Sequence, residues 1–333
     1  MTPAAHSRPV PAPPTPATRT ARSHPSGSPR LVPVAVAVVS DASALHHRGR
    51  RPHPASAQPL LRSYAAVVHT VTGLRAVPLP VHAQDAGQLA ARLLGELPDD
   101  IGAIYLTHTD PARARAAQRS VHEAGGVAVV TEQDSTAVAL SAVLLTVLAR
   151  VDRAPGSSQV VIAGAQTMPL LADLLMAAGI GDIISWNLAD RTGFPLPVVA
   201  RDADALIDLL GGASDITRAA ANRPHLAVIA PDEPDDHLLA VPGLLRALAA
   251  SAHPTLTLEV YLRCALALAA ATPPGRLLPE LTDAGLTAAV ADAVTRELDH
   301  PTHPRAVHRG RRHPDQTPPH RSDQVSNGRP GAL

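Results

Sequence analysis

Two short polar runs, Thr107-His108-Thr109-Asp110 and Glu132-Gln133-Asp134, each follow an apolar run of strand type, IGAIYL and VAVV. A histidine with two carboxylates, here His108, Glu132 and Asp134, is a donor set that suits a borderline divalent metal better than Mg²⁺, which takes oxygen ligands. The competing reading of the same side chains is a pair of solvated loops. All 29 basic residues are arginine. A lysine base, a Schiff base and a Walker-type lysine are therefore excluded. The single cysteine, Cys264, sits in the apolar run YLRCALALAAA and is expected to be a small core residue, since one thiol cannot form a disulfide framework or a thiolate metal site.

The elements that must position these residues alternate along the chain. Strand-type runs at 31–39, 76–81, 101–106 and 127–130 are separated by helical patterns at 60–71, 86–97 and 111–124. A second unit follows, with a long helix at 136–151, a strand at 160–163, a helix at 168–178 and a strand at 180–185. Short β-branched runs without polar alternation are what strands buried on both faces of a parallel sheet look like. The spacing thus predicts an α/β protein of βαβ units, with parallel sheets flanked by helices on both faces. Further on, the pattern predicts a helix at 202–210, a strand at 225–230 and helices over 242–298 broken near 251–254 and 273–275. The segment 46–59 reads as loop.

A chain of 333 residues, 45 % of them apolar, is long enough for two domains with cores of their own. Residues 1–30 and 300–333 are rich in Pro, Arg, His and Ser, and we expect disordered tails there. The domains are expected at 31–135 and 136–299. Acidic and basic residues balance at 29 each, so net charge supplies no argument for nucleic acid. The arginines of the C-terminal tail would support at most a weak, salt-sensitive contact. The opening residues lack a signal-type apolar stretch, and no window reaches the roughly 18 uninterrupted apolar residues of a membrane span. A soluble, cytoplasmic protein is the expectation.

The segments VAVVSDASAL, IGAIYL, EQDSTAVALSAVLLTVLARV, SQVVIAGAQTMPLLADLLMAAGIGDII, HLLAVPGLLRAL and RLLPELTDAGLTAAVADAVTREL resemble, in order and spacing, the bacterial malic enzymes. The resemblance covers residues 31–299 and is carried by the apolar skeleton. It implies a two-domain fold with a Rossmann-like second domain. It also implies a homodimer that converts malate to pyruvate and CO₂ with NAD or NADP and a divalent metal, Mg²⁺ or Mn²⁺.

Carried over position by position, the resemblance places the chemistry on altered residues. The family's adjacent Glu-Asp metal pair falls on Thr107 and His108, and its next metal aspartate on Glu132. The catalytic lysine falls on Gln58. The tyrosine acid belongs to a preceding segment that finds no match, and Tyr64 is the first tyrosine able to approach the same cleft. The substrate asparagines fall on Ala230 and His237. The dinucleotide loop, which needs glycines for its turn, its approach to the pyrophosphate and its packing, reads Ala163-Gly164-Ala165-Gln166-Thr167-Met168. Cofactor contact is thus assigned to Gly164, Ala165 and Gln166, with Asn187 at the ribose position and Met168 expected to push the helix away from the strand. The implied function is a malic-enzyme-like oxidoreductase, catalytically impaired. The alternative is a non-catalytic scaffold or regulatory homologue that keeps the fold and the dimer interface. A different reaction in the same cleft would use His108 or His237 as acid or base.

Overall fold

The computed structural model describes residues 35–45, 53–221, 223, 225–231, 235–252 and 254–300. The expected tails, and residues 31–34 of the first predicted strand, lie outside the described residues. The first half runs β1 (Ala35–Ser40), α1 (Gln58–Thr72), β2 (Arg75–Pro80), α2 (Ala86–Gly95), β3 (Ile101–Leu106), α3 (Pro111–Glu123), β4 (Ala128–Thr131) and α4 (Glu132–Arg150). Its sheet is parallel, in the order β2-β1-β3-β4. All six residues of β1 and of β3 are buried, as their unbroken apolar runs require. Alternate residues feed opposite faces: Val36 and Val38 pack with α1 residues such as Leu61, whereas Ala35, Ala37 and Val39 pack with α2 and α3 residues such as Leu89 and Ala117.

The second half repeats the plan with β5 (Gln159–Ala163), α5 (Pro169–Ala177), β6 (Asp182–Trp186), α6 (Leu196–Val199), β7 (Ala205–Asp208), α7 (Ser214–Ala221) and β8 (Ala227–Ile229). These strands form a second parallel sheet in the order β6-β5-β7-β8. The helix predicted at 202–210 is corrected: Ala205–Asp208 is a strand, paired to β5 on one side and β8 on the other. Ala and Leu favour helix locally, but four fully buried residues at the sheet centre are worth more than that preference.

Helix starts follow side-chain chemistry. Asp85, Asp110 and Thr131 each accept a hydrogen bond from the backbone of the first turn of α2, α3 and α4. Helix α4 begins four residues earlier than its apolar pattern predicts, because Thr131 and Asp134 form a reciprocal capping box. Glu132 and Asp134 are thus first-turn helical residues, not loop. Residues 54–57, read as loop, form a 3₁₀ turn that leads straight into α1.

Helix α4 is buried nearly all round. Val138 and Ala142 join the first core, while Ala137, Leu140 and Leu144 join the core of the second sheet. The last helices, α8 (Val241–Ala250), α9 (Leu258–Ala271) and α10 (Leu286–Asp299), bury Leu244, Cys264 and Val294 in the first core, against Val36 and Tyr105. The C-terminal helices, grouped by sequence order with the second half, therefore close the first sheet. Among the described residues no helix is long and apolar enough to cross a membrane.

Candidate functional site

In each sheet the chain reverses its direction of growth beside the first strand, opening a crevice at the carboxyl ends of two neighbouring strands, where open α/β sheets bind ligands. In the first sheet the crevice lies between the ends of β1 and β3. His108, two residues past β3, holds φ +47°, a left-handed conformation that costs energy outside glycine. Glu132 supports it: one carboxylate oxygen, Oε2, accepts hydrogen bonds from the Thr107 hydroxyl and from the His108 N–H, both at 2.7 Å. The same oxygen lies 3.8 Å from His108 Nδ1.

Above this pair the rings collect. Tyr64 of α1 stacks on His108 with centroids 5.6 Å apart, and His237 meets Tyr64 edge-on at 5.6 Å. Tyr105 of β3 stacks on His237 at 6.4 Å. The fold therefore brings together Tyr64, His108, Glu132 and His237 from four separate segments. Tyr105 was missed by sequence reasoning because it stands inside the apolar run IGAIYL and carries no polar neighbour within the strand. His108 Nε2 is buried without a hydrogen-bond partner among the described residues.

Charge in the crevice is set by these contacts. Burial pushes the Tyr64 hydroxyl up to about 12, with Glu132 and Asp235 adding to the rise. Burial also pushes on Glu132, but the His108 N–H, the Thr107 hydroxyl and the imidazoles of His237 and His108 outweigh it, leaving the carboxyl below its ordinary value. A carboxylate held down in this way contributes stability that is present above the unfolded value, about 4.5, and is lost as pH falls through the folded one. Glu132→Gln is expected to cost about 1 kcal/mol at pH 7, a reduced figure because the side chain is one-third exposed. Urea midpoints measured at pH 7 and pH 3.5 should show the gap to wild type closing at the lower pH. A gap independent of pH would contradict an ionised Glu132.

The metal site expected at His108, Glu132 and Asp134 is not assembled. Asp134 turns away: its Oδ2 accepts from the Thr131 N–H at 3.0 Å, Gln118 Nε2 at 2.7 Å and the Tyr261 hydroxyl at 3.0 Å. Asp110 caps α3 by accepting from the Arg113 N–H. Among the described residues no group of three or more His, Cys, Asp or Glu side chains is placed to hold a metal ion. Glu132 and His108 do lie together, but two donors, one already accepting two hydrogen bonds, do not fit a hard divalent cation.

The other expected site residues are dispersed. Gln58 is the first residue of α1, its N–H bonded to the Ala55 carbonyl, and it takes no part in the ring contacts. Ala230 lines a cavity of about 810 Å³ beside β8, together with Asp235, and its methyl has no hydrogen bond to offer. Among the charged pairs that sequence reasoning missed, Asp41, just past β1, has a fully buried side chain and pairs with Arg113 at 2.7 Å.

The loop after β5 carries Gly164, Ala165 and Gln166, with Asn187 from just past the end of β6 beside it, and its polar groups are spent within the protein. Gly164 has φ +89° and opens a 3₁₀ turn over Ala165–Thr167. The N–H of Thr167 donates to the Gly164 carbonyl, and that of Met168 to the Ala165 carbonyl. The Gln166 N–H donates to Asn187 Oδ1 at 3.1 Å, and Pro169 has no N–H. A pyrophosphate cradle needs such amides pointing outward and free. Three of them are satisfied internally, and the Asn187 oxygen assigned to a ribose is engaged in the same network. A 3₁₀ turn stands between strand and helix, with Met168 at the N-cap position of α5. Leu210 also covers the glycine, since a Cβ on Gly164 would lie 2.9 Å from Leu210 Cδ2.

Comparison with known proteins agrees with this architecture. No protein-family model matches the sequence, and no curated protein matches it. Among solved structures, the NAD-dependent malic enzyme of Thermotoga maritima superposes with a TM-score of 0.65 at 18 % identity, covering 79 % of this chain and 84 % of that one. Malic enzyme from Pyrococcus horikoshii gives 0.66 at 18 % identity, over 80 % and 77 % of the two chains. That of Entamoeba histolytica gives 0.67 at 16 %, over 80 % and 70 %. The chain has a malic-enzyme-like fold.

Proposed function

We propose that this chain is a malic-enzyme-like protein in which the oxidative decarboxylation of malate to pyruvate and CO₂ is impaired, and which acts as a homodimeric, cytoplasmic scaffold or regulatory homologue. The observation that carries the reading is the loop after β5, whose amides at Gln166, Thr167 and Met168 are bonded within the protein. Binding NAD or NADP there would break those bonds before any could form to phosphate. Two further observations agree: the lysine position is Gln58, and the carboxylate that should complete the metal set, Asp134, is committed to Tyr261 and Gln118. Removing single members of a catalytic unit costs several orders of magnitude in rate, and here base, metal and cofactor cradle are altered together.

A second reading, residual oxidoreductase turnover of a dicarboxylate, is favoured by the crevice itself. It still gathers Tyr64, His108 and His237 around an anionic carboxylate, with His108 in a costly backbone conformation. Calorimetric titration of the purified protein with NAD, NADP and Mn²⁺, alongside malate-dependent reduction of either dinucleotide, separates the two. We expect no saturable binding and no reduction from a folded dimer. Saturable dinucleotide binding with malate turnover would overturn the first reading in favour of the second.

A further inference from the structure

A second concave site lies away from both crevices. It is a cleft of about 500 Å³ between the two halves, bounded by α3, the start of β4, the first turn of α5 and the approach to α9. Arg115, Arg119 and His122 of α3 line it. They stand four and three residues apart, which places them on one helix face. Like charges at that spacing repel, and an isolated helix would gain by losing one of them.

Among the described residues neither arginine pairs with a carboxylate. Eight other arginines of the described residues pair with a carboxylate within 4 Å, whereas Arg115 and Arg119 are in none of these pairs. Arg115 is nonetheless fixed in place. Its Nη1 donates to Gln133 Oε1 at 2.9 Å and to the Thr167 carbonyl at 3.3 Å, both uncharged acceptors. Among the described residues the Nε and Nη2 donors of the guanidinium meet no acceptor, so they remain for a ligand on a head group already ordered. Arg119 is exposed at the mouth.

The opposite wall suits negative charge. Pro169 and Leu170, the first residues of α5, line the cleft, and that helix starts with no side-chain cap and no acidic residue in its first turn. Two carboxylates also face the cleft. Asp134 is buried, accepts from Gln118, Thr131 and Tyr261, and is pushed by burial toward its neutral form. Asp173 is exposed at the rim, a turn into α5. The cationic side chains outnumber the one solvated carboxylate.

We infer that this cleft binds a small molecule bearing a phosphate or carboxylate group, held by Arg115 and Arg119 against the first turn of α5 so that it bridges the two halves. The apolar part of the lining, Val127, Leu170 and Leu256, would face the body of such a ligand. The inference does not rest on the dinucleotide and malate readings: of the residues assigned to those sites only Asp134 lines the cleft, and its carboxylate is already committed to Thr131, Gln118 and Tyr261.

The test is calorimetric titration of the full-length protein with inorganic phosphate and, separately, with citrate, both at matched ionic strength. The same titrations are run on Arg119→Gln and on Arg62→Gln, the latter removing an exposed arginine from α1. At least one of the two anions is expected to bind saturably, with affinity at least tenfold weaker in R119Q and unchanged in R62Q. Phosphate or citrate response in wild type identifies which anionic group the cleft takes. Silence of both anions, or equal binding by wild type and R119Q, overturns the proposal. Arg119 is exposed and makes no ion pair among the described residues, so circular dichroism of R119Q should match wild type.

Discussion

Asp134→Ala is expected to destabilise the protein by about 3–5 kcal/mol, because it strips one buried acceptor from three donors at once. The capping box at the start of α4 loses its return bond to Thr131, and Gln118 and the Tyr261 hydroxyl lose a partner inside the core. A lost cap alone costs about 1 kcal/mol, and each donor left buried and unpaired adds about 1–3 kcal/mol. Helix α4 packs into both sheets, so the loss should reach both halves. Asp134→Asn is expected to cost much less, since burial already disfavours the charged form and an amide oxygen can still accept. Urea unfolding followed by far-ultraviolet circular dichroism measures both variants. Equal costs for Ala and Asn would show that the charge, not the hydrogen bonding, matters.

Trp186→Ala should cost a comparable amount, about 3–5 kcal/mol, as large-to-small changes at fully buried aromatic positions do. Trp186 ends β6 and is 1 % exposed, packed with Val161, Leu196, Leu206 and Ile216 on the outer face of the second sheet. Its indole N–H donates to the Phe194 carbonyl at 2.8 Å, which holds the segment after β6 against the sheet. Trp186→Phe keeps most of the volume and loses that bond, so its expected cost is nearer 1–2 kcal/mol. Far-ultraviolet circular dichroism gives the midpoint for both variants. As this is the chain's one tryptophan, its fluorescence in the Asp134→Ala variant also tells whether the second half unfolds with the first. A Trp186→Ala cost below about 1 kcal/mol would mean that the site collapses around the gap.

Much of the architecture was legible because burial leaves a local trace. The runs at 31–39, 101–106 and 160–163 read as buried parallel strands, and Pro111 after Asp110 marks the start of a helix; the strands found there are Ala35–Ser40, Ile101–Leu106 and Gln159–Ala163, and α3 starts at Pro111. The segment around Ala205–Asp208 failed because its short Ala-Leu-Ile run carries the same local signal in a helix as in a strand, and only pairing with β5 and β8 decides between them. The start of α4 failed for a related reason. Polar residues at 132–135 look like loop until the Thr131–Asp134 capping box is recognised.

The candidate site divides in the same way. His108 and Glu132 were legible as neighbours because each follows the end of a strand in one parallel sheet, and strand ends in such a sheet share an edge. By itself the sequence determined residue types: the arginine-only basic set, a glutamine at 58 and the loop Gly164-Ala165-Gln166, all of which hold whatever the fold. Only the tertiary structure decided how each group is used. Asp134 points into the core and Glu132, two residues earlier, into the crevice, because successive positions on a helix face different directions. Tyr105 and His237 meet across 132 residues of chain because strand β3 and the turn before α8 pack together. The Gln166 N–H of the loop after β5 meets Asn187 from just past the end of β6, and Gly164, left-handed beneath Leu210, opens the turn whose carbonyls take the next two N–H groups. Such contacts join residues far apart in the chain, and no local pattern of hydrophobicity or propensity encodes them.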